Sequence, residues 1–406
     1  MNDQGGAIRA TATTRPTIML RAGEHKRVLT GHPWVYSNEV VMDAATKALP
    51  PGGVVRVVSH DGRAIGTAMF NPQPLIAARI LTRDPAATID RRFIAERLER
   101  AQALRNRLFD APYYRLVHAE ADGLPGTVID RFGDTIVVQV NTAGMELLLP
   151  ELLAALDDVV RPATVLLRND GAVRTLEGLD SYVRVSKGSV DAPIELVENG
   201  VRFVADLREG QKTGWFFDQR DNRAMVAHLS RGARLLDVYC YTGGFAVQSA
   251  AAGASEVLAV DRSDAALVLA GRAAALNGVA ERCRFQRGDA FGTLEALAGQ
   301  GERFDIVVAD PPAFVKSKKD MNQAARAYRK LARLASVLVG PGGFLFIASC
   351  SHHMAGENFA EQVARGLGDA GRTGRILRSS GAAADHPVHA ALPETAYLKA
   401  LLLQVD

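Results

Sequence analysis

Residues 235–250 read LLDVYCYTGGFAVQSA: an apolar run closing on Asp237, a turn through Tyr241, Thr242, Gly243 and Gly244, and a continuation in small residues. That order is a strand, a glycine turn and a helix, the opening unit of a doubly wound α/β domain. The two glycines let backbone approach a ligand, and the start of a helix offers unpaired N–H groups. An acid at the strand end repels a pyrophosphate and attracts an ammonium or sulfonium. The stretch also lacks the G-x-G-x-x-G spacing of dinucleotide sites and the G-K-[ST] of a phosphate loop. S-adenosylmethionine, cationic at sulfur and at its amino group, fits these residues better than NAD or ATP.

Further along, the strand–helix rhythm repeats. A strand over 255–260 ends at Asp261, 24 residues after Asp237 (261 − 237), where a carboxylate accepts from both hydroxyls of a ribose. A third strand over 284–287 leads to Asp289, placed to receive an adenine amino group. A fourth over 304–309 closes on Asp310-Pro311-Pro312, and a fifth over 343–348 ends at Ser349-Cys350-Ser351. All five polar ends are thereby expected on the carboxyl edge of a parallel sheet, where open α/β folds bind ligands. Each loop Asp also suits a helix cap, the commoner use of such a residue.

The prolines stiffen the loop after Asp310 and leave its carbonyls free for a substrate. Amino-group methyltransferases hold an exocyclic NH₂ with a D/N-P-P-aromatic loop, but here Ala313 intervenes before Phe314. Cys350 raises a different chemistry. Carbon 5 of cytosine is a poor nucleophile until a thiolate adds to carbon 6, and Asp310 is placed to hold N3 or the 4-amino group. A free thiol has a pKa of about 8.5, so local positive charge or a base is needed.

Upstream, β-like segments over 54–58 and 64–70 flank an Asp61-Gly62 turn, and 76–81 adds a strand, giving a small barrel or sandwich. Arg21, Lys26, Trp34 and Tyr36 lie in or beside it, a mixture that suits RNA but equally a small core. Residues 1–110 carry 16 Lys/Arg against 10 Asp/Glu, a net of +6, so the remainder of this +3 chain is about −3. That asymmetry suits a polyanionic partner at one end. Thr88 is expected to cap a helix to about Leu108, with Ile94, Leu98, Ala101, Leu104 and Leu108 on one face and a solvated arginine face opposite. A second α+β unit spans about 114–190, then an Asn199-Gly200 hairpin, then an aromatic and charged run, residues 211–223, able to wall an adenosine pocket or to pack under the sheet.

Three cysteines far apart, with no C-x-x-C pair, argue against disulfides or a metal site, and no apolar run reaches the roughly 18 residues of a membrane span. With no secretory leader in the first fifteen residues, a cytoplasmic protein is expected.

In order along the chain, HPWVYS, ADGLPGTVIDRFGD, KTGWFFDQRDNR, YTGGFAV, DPPAFV, SCS and ADHPV resemble the PUA-bearing family of S-adenosylmethionine-dependent, large-subunit ribosomal RNA cytosine carbon-5 methyltransferases. The resemblance covers residues from about 20 to the end. It implies a PUA barrel (15–85), a linker helix with a central α+β domain (86–195), and a Rossmann-like methyltransferase domain (196–406). It also implies that Cys350 is the single nucleophile, with Asp310 beside it. S-Adenosylmethionine would be held by Asp237, Tyr241, Thr242, Gly243, Gly244, Asp261, Asp289, Gln219 and Arg220. Ribosomal RNA would be met by Pro311, Pro312, Lys316, Arg21 and Lys26, with the segment from Lys316 to Arg333 on its phosphates; a homodimer is compatible with the family. Ala313 departs from the family pattern, in which a basic residue is frequent. An exocyclic-amine methyltransferase and an inactive RNA-binding protein stay open as alternatives; a nicotinamide oxidoreductase is disfavoured by Asp237 and the missing glycine fingerprint.

Overall fold

Alternating apolar positions in the first 85 residues build a five-stranded sheet, as seen in a computed structural model that describes residues 15–314 and 320–406. Its strand order is Thr17–Met19, Gly53–Val58, Ala64–Phe70, Ile76–Thr82 and Trp34–Tyr36. Gly53–Val58 and Ala64–Phe70 pair antiparallel around the Asp61-Gly62 turn, with Gly62 at φ +82°. Trp34 is not core. It is half-buried, and its indole N–H donates to Glu120 of the next unit at 2.8 Å.

The helix Arg91–Leu108 is capped by Asp90, which accepts from the N–H of Phe93 at 3.0 Å, rather than by Thr88. Ile94, Leu98 and Ala101 are buried as its periodicity requires, but Leu104 and Leu108 are exposed. The arginine face is not simply solvated. Arg105 is fully buried, bonded through Nη1 and Nη2 to Asp122 (2.6 and 2.8 Å) and donating to the carbonyls of Arg115 and Asp385 at 2.9 Å. Arg97 donates to the carbonyls of Leu81, Phe93 and Gly123. A guanidinium has five donors in a fixed fork, so it can satisfy several loop carbonyls at once.

The central unit is a second five-stranded sheet in the order Tyr182–Lys187, Thr164–Asn169, Thr135–Val140, Thr127–Phe132, Tyr113–His118. After it, Ile194–Glu198 and Val201–Ala205 form the hairpin expected at Asn199-Gly200, both at positive φ (+52° and +78°).

The last unit is a seven-stranded sheet ordered Cys283–Arg287, Glu256–Asp261, Arg234–Val238, Phe304–Ala309, Val339–Ser349, Lys399–Val405, Gly374–Ser380. The first five strands are parallel; the last two, unrecognised in the sequence, run antiparallel to their neighbours. The order reverses beside Arg234–Val238, so the crevice at its carboxyl end is the switch point where such sheets bind ligands. Among the described residues no helix is long and apolar enough to cross a membrane.

The central and last units are joined by buried charge. The Arg115 guanidinium pairs with Asp130 (2.8 and 2.9 Å), Asp130 accepts from the Thr213 hydroxyl (2.5 Å), and the Arg115 N–H donates to Asp385 (2.9 Å). Removing one partner of such a set leaves the other buried and uncompensated, at about 3–5 kcal/mol. Arg105→Ala, which strands Asp122, is therefore expected to lower unfolding stability by about 3–5 kcal/mol in chemical denaturation followed by circular dichroism. A loss under about 1 kcal/mol would show that the cluster does not hold the units together.

Candidate active site

The strand Arg234–Val238 is buried on both faces, Leu235 and Leu236 included, so it can only run through the middle of the sheet. Past its end the chain curls tightly, with Tyr239 and Tyr241 at positive φ (+67° and +48°), a left-handed conformation unusual for residues with a β-carbon. The curl is held by the N–H of Tyr241 donating to Asp261 Oδ2 at 2.9 Å and by the Tyr241 hydroxyl, which accepts from the Gln211 N–H at 3.0 Å. A β-carbon on Gly243 would lie 2.9 Å from that of Ala270, so this glycine serves close packing of two helices.

Around this curl opens a cleft of about 390 Å³, within the range of small-molecule sites. It is lined by Tyr241, Thr242, Gly244, Val260, Asp261 and Ala290 together with Lys212, Asp218, Gln219, Asp310, Pro311 and Cys350. Residues from five strand ends and from the 211–223 run, far apart in sequence, thus meet in one cavity. No cluster of metal-ligating side chains is found among the described residues.

The expected cofactor residues fare differently. Tyr241, Thr242, Gly244, Asp261 and Gln219 line the cleft. Gly243 sits behind it. Asp237 is fully buried under the turn, where its Oδ2 accepts from the N–H of Ala246 at 3.1 Å. Burial, with Asp310 and Asp261 nearby, pushes its pKa well up, so it is not the exposed anion that its strand-end position suggested. Asp289 is also corrected: it caps the helix Ala290–Gly299 by accepting from Gly292 at 3.0 Å and pairs with Arg262, outside the cleft. An unpaired helix start claims a loop carboxylate whenever it is in reach. Arg220 turns away as well, donating to the carbonyl of Tyr113 and lying 4.5 Å from the Phe109 ring centre.

Arg223, three residues on and within the same aromatic and charged run, lines the cleft, as does Arg262. Glu198 fixes Arg223 at 2.6 and 3.1 Å, and its guanidinium lies over the Trp215 ring. Its place could have been read from helical spacing: on a helix, positions 220 and 223 fall on neighbouring but distinct azimuths, and only one faces the sheet edge.

Of the substrate residues, Pro311 and Pro312 line the cleft, Arg21 and Lys26 are exposed on the first sheet's unit, and Lys316 lies outside the described residues. Lys330, in the basic segment that follows, pairs with Glu295, and Arg329 with Asp369.

Cys350 is half-buried and faces the cleft. Its loop is pinned by hydroxyls: Ser349 donates to Tyr328 (2.8 Å), and Tyr328 and Ser351 lie 2.9 Å apart. Burial pushes the thiol up, and Asp310 and Asp218 add to this, while the Lys212 ammonium opposes them. Cys240, also on the cleft, is pushed up by burial, Asp237 and Asp261 with no cation to offset them. Among the described residues, the cation acting on Cys350 is Lys212, and no cation is found acting on Cys240. Lys212 itself takes φ +51°, with its ammonium 3.9 Å from Asp218 and 4.5 Å from the Phe216 ring centre. It falls within the 211–223 run, but a lysine three residues before a tryptophan carries no signal of its own.

Asp218 and Asp310 are pushed apart. Burial and the Asp218 charge raise Asp310 to about 7, against Arg223, Gln219 and Lys212. For Asp218, burial is outweighed by Lys212, His386 and the Tyr397 hydroxyl, and its carboxyl is held below the usual range.

A cleft at the switch point of a Rossmann-like sheet, lined by a thiol, two carboxylates and a further strand-end acid placed for a ribose, is that of an S-adenosylmethionine-dependent methyltransferase, here joined to a PUA-like domain. Residues 179–403 match the model of the S-adenosylmethionine-dependent methyltransferases and residues 18–83 that of a PUA-like domain. The "Ribosomal RNA large subunit methyltransferase I" proteins of Cronobacter sakazakii and Shigella boydii are 38% and 36% identical to this chain, over 96% of it and 99% of each relative. A Streptococcus mutans protein provisionally assigned as a SAM-dependent methyltransferase shares the fold, with a TM-score of 0.81 at 20% identity over 96% of this chain and 100% of its own. The chain belongs to the S-adenosylmethionine-dependent methyltransferases, in the ribosomal RNA large subunit methyltransferase I family.

The residues present fit this cofactor. The buried Thr242 hydroxyl has no hydrogen-bond partner among the described residues, and Asp261 sits at the end of its strand with lone pairs beyond those given to Tyr241 and Ser263. Losing hydrogen bonds to a charged acceptor costs about 1.5–3 kcal/mol, so Asp261→Ala is expected to weaken S-adenosylmethionine binding about 10- to 150-fold in titration calorimetry. Unchanged affinity would remove Asp261 from the site.

Proposed function

We propose that this chain forms 5-methylcytosine in large-subunit ribosomal RNA through a covalent bond from Cys350 to carbon 6 of the target base. The observation that carries this is Cys350 on the cleft wall with Lys212 and Asp310, in the same cavity as Asp261. The name printed for the relatives supports the ribosomal RNA substrate, and the PUA-like domain with exposed Arg21 and Lys26 supports an RNA surface.

The thiol adds to carbon 6 while Asp310 supplies a proton to N3, and the ring becomes an enamine nucleophilic at carbon 5. Bound S-adenosylmethionine supplies an electrophilic methyl group, held by Tyr241, Thr242, Gly244, Asp261 and Gln219. Solvent water then takes the carbon 5 proton, the sulfur leaves as thiolate, and N3 returns its proton to Asp310, which restores the aromatic ring. The target base must leave its stack to reach Cys350, so a single-stranded or flipped cytosine is the substrate. Pro311 and Pro312 hold the loop beside it.

The reactive pair carries one proton, on Asp310 as the thiolate adds and on N3 in the adduct. Below pH about 7 the resting pair holds two protons, since Asp310 is raised to about 7. The kcat/KM is therefore expected to rise about tenfold per pH unit up to about pH 7, hold above it, and fall only past the raised thiol pKa. Asp310→Asn should remove the acid limb. A profile flat from pH 5 to 8 would contradict the assignment.

Cys350→Ala is expected to lose turnover by at least about 1,000-fold while still binding S-adenosylmethionine. Bisulfite mapping of large-subunit ribosomal RNA, with and without the gene, should show one cytosine unmodified in its absence. Full activity of the alanine variant would instead favour methylation of an exocyclic amine through the Asp310 loop.

A further inference from the structure

Asp218 is 4% exposed, yet it lines the cleft together with Cys350 and Asp310. Its two oxygens are treated unequally. Oδ2 accepts from the Tyr397 hydroxyl at 2.5 Å and lies 3.9 Å from the Lys212 ammonium. Oδ1 is buried and has no hydrogen-bond partner among the described residues. A buried carboxylate oxygen without a donor is costly, so the arrangement is built for a donor that arrives with a ligand.

Several features keep this oxygen in place. The Asp218 backbone carbonyl accepts from Ala383 at 2.9 Å, tying it to the 382–386 loop. Tyr397 is flanked by the rings of His352 (5.4 Å) and His118 (6.4 Å), so its hydroxyl has little freedom. Asp310 stands in the same cavity, with the Gln219 side chain against it. The two carboxyls have opposite leanings: Asp310 is raised to about 7, whereas Asp218 is held ionised by Lys212 and its neighbours. A proton-bearing carboxyl next to an ionised one presents a donor and an acceptor side by side.

The edge of cytosine presents an acceptor at N3 and a donor at its 4-amino group; that of uracil presents the reverse. We propose that Oδ1 of Asp218 accepts a hydrogen bond from the 4-amino group of the target cytosine, which makes Asp218 the residue that separates cytosine from uracil at this site. The assignment rests on the cytosine carbon-5 reading above. Uracil in the same pose sets its carbonyl oxygen against the carboxylate and its N3–H against the proton of Asp310, leaving buried polar groups unpaired. Sites built in this way reject the wrong partner by about 10⁴-fold or more.

The test uses the full-length enzyme and the RNA in which the wild type forms 5-methylcytosine, prepared with cytidine or uridine at that one position. Single-turnover methyl transfer is measured on both, and S-adenosylmethionine affinity by calorimetry. For Asp218→Asn, cytidine turnover is expected to fall at least about 100-fold and the cytidine-to-uridine ratio at least about tenfold, with cofactor affinity within about twofold of wild type. Tyr397→Phe, which loosens Oδ2 and keeps the carboxylate, should lower the same ratio to a smaller extent, and it carries the test if Asp218→Asn does not fold. An unchanged ratio in the folded variants overturns the proposal. So does a drop in cofactor affinity that accounts for the lost rate, which would assign Asp218 to the amino group of S-adenosylmethionine. If the wild type forms no 5-methylcytosine, or Cys350→Ala stays active, the underlying reading fails and the proposal with it; a wild type that makes 5-methylcytosine with an unaltered ratio in Asp218→Asn sinks the proposal alone.

Discussion

A carboxylate taken out of water must be met by a cation, by hydrogen bonds or by a proton, and this requirement organises the whole molecule. At the carboxyl edge of the seven-stranded sheet each acid is answered differently. Asp261 takes two backbone N–H groups, Asp218 takes Tyr397 and Lys212, and Asp289 takes a helix start and Arg262. Asp310, buried beside the ionised Asp218, is driven to about 7 against Arg223 and Lys212. The differences between these residues, which share one letter in the sequence, come from their answers.

The same requirement joins the units. Arg105 of the linker helix and the Arg115 N–H of the central sheet reach Asp385, Thr213 reaches back to Asp130, and Arg220 reaches back to the Tyr113 carbonyl, so the central unit forms one wall behind the cleft. It contributes no residue to the cavity lining, yet Asp218 and Tyr397 lean on it: Arg115 acts on both carboxyl and phenol, and His118, pushed down to about 2 by burial and nearby arginines, packs neutral against His386. A neutral imidazole there adds packing without adding a further buried charge.

Much of the site was legible in the sequence. The strand–turn–helix over 235–250, the acids at 261 and 310 and the thiol at 350 follow from a repeat that only a parallel sheet accommodates, and that topology sends strand ends to one edge. Asp237 and Asp289 were misjudged for a related reason. A strand-end position fixes which edge a residue reaches, but not whether its side chain points into the crevice, under the turn, or back to cap a helix. Arg220 and Arg223 show the same limit on a helix, where one azimuth faces the cavity and the next faces the linker helix. The last two strands escaped notice because they run antiparallel after a helix and carry no strand-end chemistry.

What the sequence determined alone was therefore the order of elements, the family, and the list of groups able to act: apolar runs and glycine turns are local, and their spacing is copied directly into the fold. What only the tertiary structure decided was which of those groups share a cavity and in what charge state. Lys212, Asp218 and Tyr397 lie up to 185 residues apart (397 − 212). Their contact, and the buried Oδ1 it leaves without a partner among the described residues, arises from long-range packing and desolvation, neither of which has a signature in neighbouring residues.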